Sequence, residues 1–194
     1  MTPLSIHDCQ SNRKTMKIPL IKLKAILLYL TNNTDTKFLG KVKLMKLFYF
    51  LDFMHVKKYG TPVTYDTYIN LEHGPAPSAI KNLIDTADDD LDSSALVDTI
   101  HFEHPRGTQM CRVLANRKFT EKDRKLFSET ELDILQKVCK LFGDKNTQYV
   151  EDVSHKEAPW NKTSFLDKIS YELAAEDPDS DFDKEDIALA LDVL

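Results

Sequence analysis

LGKVKLMKLFYFLDFMHVKK, residues 39–58, contains no helix breaker after Gly40 and is apolar at Val42, Met45, Tyr49, Leu51, Phe53 and Val56. At 3.6 residues per turn these positions occupy more than one face. The spacing therefore predicts a helix running from Leu39 to Lys58 at the centre of a domain. Gly60 and Pro62 stop it, a glycine cap followed by proline.

The chain on either side follows the same helical period. Pro19 suits a first helical turn, because its missing N–H would be unpaired there. Leu20, Leu23, Leu27 and Leu30 then line one side of a helix ended by Asn32–Asp35. Beyond the central helix, Val63–Leu71 is rich in β-branched residues and tyrosine, which predicts a short extended segment. His73-Gly74-Pro75-Ala76-Pro77 reads as irregular. Ser78 is placed to cap a helix carrying Ile80, Leu83, Ile84 and Ala87. Thr99–Glu103 and Met110–Leu114 alternate around His104-Pro105-Arg106-Gly107, which predicts a β-hairpin. Phe119–Phe127 reads as a charged connector. Ser128-Glu129-Thr130-Glu131 is a capping box opening a helix with Leu135, Val138, Cys139 and Phe142 inward. A further helix is expected over Gln148–Lys156. Ala174–Asp181 reads as an acidic linker, and 182–194 as a short amphipathic helix with Ile187, Ala190, Leu191 and Leu194 on one side.

The predicted fold is thus mainly α: a compact helical domain with a small antiparallel β-hairpin. It divides into a flexible N-terminal arm (1–16), the domain proper (17–171) and an acidic C-terminal extension (172–194). At 194 residues with 42% hydrophobic and 29% charged composition, such a chain buries enough surface to need no covalent staples. Cys9, Cys111 and Cys139 are odd in number and widely spaced, which is neither a disulfide framework nor a zinc motif. No apolar run approaches a membrane span. Polar residues occupy the first twenty positions where a signal peptide would need an apolar stretch. A cytoplasmic location is expected, with no membrane partner and no cofactor.

The net charge of −5 hides an uneven distribution. Residues 1–60 carry eleven Lys or Arg against Asp8, Asp35 and Asp52, a balance of +8, whereas 172–194 carry nine Asp or Glu against Lys184, a balance of −8. The lysines at 22, 24, 41, 43, 46, 57 and 58 alternate with apolar positions. They read as solvated helix faces, with attraction to the acidic tail, so nucleic acid is not the expected partner. Nucleotide-binding and hydrolase motifs are absent. Asp52 and His55 share a helix face; with His73 or His155 they would make a two-His, one-carboxylate metal site or an acid–base pair. That is the enzymatic alternative to a structural role. Pro75 and Pro77 around Gly74 stiffen a loop that would cost little to order on binding.

Lys46-Leu47-Phe48-Tyr49-Phe50-Leu51-Asp52-Phe53-Met54-His55, then Tyr59-Gly60-Thr61-Pro62-Val63, then Thr67-Tyr68 with His73-Gly74-Pro75, and finally Ser154-His155 with Trp160, resemble in order the blocks of the Panacea domain of SocA-like and phage-associated GepA-like antitoxins. The resemblance covers about residues 20–165. It implies a helical antitoxin, not an enzyme, that neutralises a toxin encoded by the adjacent gene through direct binding. Alternatively, as in one SocA-like member, it would be an adaptor delivering the toxin to a ClpXP-type protease. Carried over, Asp52, His55, Gly60, His155 and Trp160 match motif positions and are expected to shape the fold. Toxin contact is expected at His73, Gly74, Pro75 and Pro77, at Tyr65 and Tyr68, and at Ile187 and Leu191 in the acidic extension, whose apolar side would lie in a groove while its carboxylates speed encounter with a basic toxin.

Overall fold

The computed structural model describes residues 18–108 and 110–192; the expected arm at 1–16, and Cys9, His7 and Leu194, lie outside them. The order is α1 (Leu20–Asn32), α2 (Lys41–Tyr59), β1 (Tyr68–Leu71), β2 (Gly74–Pro77), α3 (Ser78–Asp89), β3 (Ile100–Glu103), β4 (Arg112–Ala115), α4 (Glu121–Arg124), α5 (Glu129–Phe142), α6 (Thr147–Ser154), α7 (Ala158–Asn161), β5 (Lys168–Ile169), a 3₁₀ turn (Tyr171–Glu176) and α8 (Lys184–Asp192). The fold is mainly α, with two small antiparallel sheets.

α2 is the axis. Leu44, Leu47, Phe48, Tyr49, Leu51, Phe53 and Val56 are all fully buried, and the helix is packed by α5, α6, β2 and the 3₁₀ turn. Its aromatic residues interlock: Tyr49 lies 4.5 Å from Phe53, and Phe50 stacks on Phe142 of α5 at 4.2 Å between ring centroids. Gly60 caps α2 at φ +77°, its N–H donating to Val56 O at 2.8 Å. The capping box at Ser128 and Glu131 opens α5 as expected.

The hairpin forms as β3–β4, His101 opposite Leu114. The second sheet, in the order β2–β1–β5, was not legible. His73–Pro77 is accordingly not irregular: Gly74–Pro77 is a strand, with Pro75 opposite Asn70 and Pro77 opposite Tyr68. Proline fixes φ in the extended range and lacks only a donor, so an edge strand accepts it. Other expectations also need correction. The connector at 119–127 contains α4, opened by a Thr120–Asp123 capping box. The 3₁₀ turn runs into the first three residues of the acidic linker. α3 takes its cap from afar, since the Asp66 carboxylate accepts from Ala79 N at 3.0 Å and Ile80 N at 2.8 Å.

The lysine-rich front is only partly a solvated face, and Lys57 and Lys58 meet the acidic tail as expected. Lys43, Lys46 and Lys57 are buried. Lys22, Lys24, Lys41 and Lys58 are paired with Glu131, Asp98, Asp85/Asp88 and Asp181. Much of the positive charge carried by the two helices is thus neutralised by carboxylates or buried.

Candidate protein-binding groove

Asp52 organises the region from within α2. Its side chain is completely buried. The carboxylate accepts from Val63 N at 2.9 Å, Thr64 N at 2.7 Å and the Thr64 hydroxyl. The hydroxyls of Tyr68 and Tyr171 approach it at 3.0 and 3.1 Å. Burial pushes this carboxyl up to about 6, against the opposing pull of its hydrogen-bond donors. Asp52 thereby ties the chain leaving α2 to the tyrosine that opens the 3₁₀ turn, across 119 residues. His55 has a similar structural task. Its Nδ1 lies 2.5 Å from Thr61 O and its Nε2 3.2 Å from the Thr130 hydroxyl. Burial holds its pKa below the usual histidine value, so a neutral ring donates to one and accepts from the other.

A second convergence surrounds Gly74, at φ +90°. A Cβ there would lie 2.9 Å from His155 Nε2, 2.9 Å from Ser154 Oγ and 3.0 Å from Lys46 Cε. Only glycine lets β2 come this close to α2 and α6. Lys46 Nζ donates to Pro75 O at 2.8 Å, and the His155 ring stacks on Trp160 with centroids 3.8 Å apart. The motif residues Asp52, His55, Gly60, Gly74 and Pro75 are thus interior. Asp52 and His55 bond the chain leaving α2 together with Tyr68, Tyr171 and Thr130, His73 meets Glu151 at 3.3 Å, and the His155 ring stacks on Trp160. The structure does not bring them together as a two-His, one-carboxylate set.

The open surface lies on the other side of Tyr171. A groove of about 720 Å³ is lined by Tyr65, Asp66, Thr67, Lys168, Ile169, Ser170, Tyr171 and Leu191. Tyr65 adopts φ +56°, a costly conformation for a bulky residue. Phe165 and Leu166, in the loop leading into β5, are 64% and 62% exposed, and Leu189 of α8 is 66% exposed. Glu172, Asp183, Glu185, Asp186 and Asp192 add exposed carboxylates along the same segment.

Of the residues expected to meet a partner, Tyr65 and Leu191 share this groove, brought together from positions 126 residues apart in the chain. His73 is exposed elsewhere. Gly74, Pro75, Pro77, Tyr68 and Ile187 are buried within the chain, so they offer no surface in this conformation. Tyr171 and Ile169, which line the groove, were not among the expected contact residues. The available signal was an aromatic residue at the threshold of the acidic segment.

The acidic segment is seated on the domain. Lys57 Nζ meets Glu157 at 2.8 Å, Asp177 at 2.9 Å and Asp179 at 3.1 Å. Asp181 N donates to Lys57 O at 2.8 Å, and the Phe182 ring covers Gly60 at 3.4 Å from where a Cβ would stand. Ala174 and Ile187 are part of the same core as α2. Among the described residues no helix is long and apolar enough to cross a membrane.

The architecture is that of a mainly helical domain with an aromatic-walled groove on its surface. Residues 44–161 match the model of the family described as antitoxin SocA-like, Panacea domain, and the chain belongs to that family. Comparison with curated proteins and with solved structures found no match.

Proposed function

We propose that the chain is the antitoxin of a two-gene toxin–antitoxin pair and silences the toxin made from the adjacent gene by binding it directly in the cytoplasm. Family membership supports the class. The groove holding Tyr65, Tyr171 and Leu191 supports the mode and is the observation that carries it. An aromatic-walled concavity takes an apolar anchor. The exposed carboxylates of 172–192 select a basic neighbourhood around that anchor and accelerate encounter. The partner is therefore a toxin presenting an aliphatic or aromatic side chain among lysines or arginines.

Co-expression with the adjacent gene product tests the class: the two should purify together and growth should be restored. A toxin left free and lethal would end the antitoxin reading. Within a complex, Tyr65→Ala and Leu191→Arg should each weaken affinity at least tenfold, about 1.4 kcal/mol, with unfolding midpoints near that of the parent. Undiminished binding by both variants would move the contact away from the groove while leaving the class intact. Toxin levels in cells lacking a ClpXP-type protease separate simple binding, in which they are unchanged, from delivery for proteolysis, in which they rise.

A further inference from the structure

Away from the groove residues, the end of α3, the start of α2 and the β3–β4 loop bring three side chains to one point. His104 Nε2 lies 3.1 Å from Asp88 Oδ1, Cys111 Sγ lies 3.4 Å from the same oxygen, and Sγ and Nε2 are 3.9 Å apart. The arrangement is not a relay. In a nucleophile–histidine–acid triad the thiol and the carboxylate address opposite ring nitrogens, whereas here both face Nε2. It is instead the face of a coordination polyhedron. With Zn–S of about 2.3 Å and Zn–N or Zn–O of about 2.0–2.1 Å, tetrahedral angles place sulfur about 3.6 Å from either light atom and nitrogen about 3.3 Å from oxygen. The three separations straddle those values.

The surroundings hold the donors in place. Lys41 Nζ binds the other Asp88 oxygen, Oδ2, at 2.7 Å, which leaves Oδ1 directed at the site as an outer partner of a ligating carboxylate should. Lys41 N donates to Cys111 O at 3.3 Å, and Val113 N to Leu39 O at 3.0 Å. Gly40 packs closely here, with 3.3 Å between its would-be Cβ and Cys111 O. The Asp88 side chain is 10% exposed, while that of His104 is 65% exposed, so one side of the cluster faces water.

We propose that Asp88, His104 and Cys111 bind one zinc ion, with water in the fourth position, and that the ion pins the β3–β4 loop to α3. A thiolate, an imidazole and a carboxylate together favour zinc over magnesium or calcium. Binding replaces the Sγ–H bond by a Zn–S bond and releases the proton to solvent. The site shares no residue with the groove and stands or falls independently of the antitoxin reading.

The test uses the untagged full chain stripped with a chelator. Titration with zinc chloride followed by calorimetry should give one equivalent. His104→Asn and Cys111→Ser should each weaken it at least about tenfold, whereas Cys9→Ser and Cys139→Ser together should leave it unchanged. Cobalt(II) in place of zinc should show tetrahedral visible bands and a thiolate charge-transfer band that Cys111→Ser abolishes. Both substitutions fall at partly exposed positions, and unchanged far-ultraviolet dichroism excludes misfolding as the cause of a loss. Absent stoichiometric binding, affinity equal in parent and both site variants, or a cobalt spectrum without the thiolate band would each overturn the site.

Discussion

Lys46 and Lys57 stand eleven residues apart on one side of the same helix, both buried, and they meet opposite surroundings. Lys57 faces the carboxylates of Glu157, Asp177 and Asp179. Burial alone would lower its pKa, but these carboxylates outweigh it and hold the ammonium above the usual lysine value. Lys46 meets only the carbonyl of Pro75; burial, with slight opposition from Glu151, pushes it down to about 7. The pair shows two ways of keeping a cation inside a core. One supplies enough opposite charge to fix the proton. The other lets the proton go near neutral pH. Lys57 is accordingly a permanent clamp on the acidic segment, and Lys46 a seat for β2 whose charge follows the solution.

The largest effect expected from this contrast is at Lys57. Lys57→Met leaves two or three carboxylates unpaired in or beside the core, and breaking such a group costs about 3–5 kcal/mol. Urea unfolding should show that loss, and limited proteolysis should find new cuts near Asp177–Asp181. A midpoint within error of the parent would mean the clamp is dispensable. Gly74→Ala comes next, at about 2 kcal/mol, since it adds a methyl at φ +90° against His155, Ser154 and Lys46; Lys46→Met in the same chain should not relieve the clash with Ser154.

The smallest effect, and the sharpest test of the comparison, is Lys46→Met. The folded-state pKa of Lys46, about 7, lies below the ordinary 10.5. Between those values the unfolded chain binds more protons, so this group makes the protein more stable as pH rises. The variant should be the more stable of the two below pH 7 and lose that advantage progressively as pH rises toward 10.5. Its stability should also rise less between pH 7 and 10. Parallel pH profiles for parent and variant would show that Lys46 keeps an ordinary pKa.

The same contrast explains what could be read in the chain beforehand. α2 was legible because its apolar positions exceed one face, and α5 because Ser128 and Glu131 are three residues apart. The fate of the lysines was not legible, since the carboxylates that fix Lys57 lie a hundred residues or more downstream and no local pattern announces them. The strand at Gly74–Pro77 was hidden for the same reason: its ladder partner is nearby, but the edge that tolerates two prolines is defined by α2 and α6. Tyr65 and Leu191 were each singled out separately, while the groove joining them needed Tyr171, which Asp52 holds from inside. The cysteine, histidine and aspartate at 111, 104 and 88 follow no spacing rule, because a loop and a helix end meet there.

The family-matched stretch ends at Asn161, yet α2 obtains Tyr171 for Asp52, Asp177 for Lys57 and Phe182 for Gly60 from beyond it. A ribosome that has just joined Asn161 has therefore made every motif residue but no finished interior. The nascent chain must wait for some twenty more peptide bonds before its central helix is closed, so the interval between synthesis and competence is set by the least motif-like part of the polypeptide.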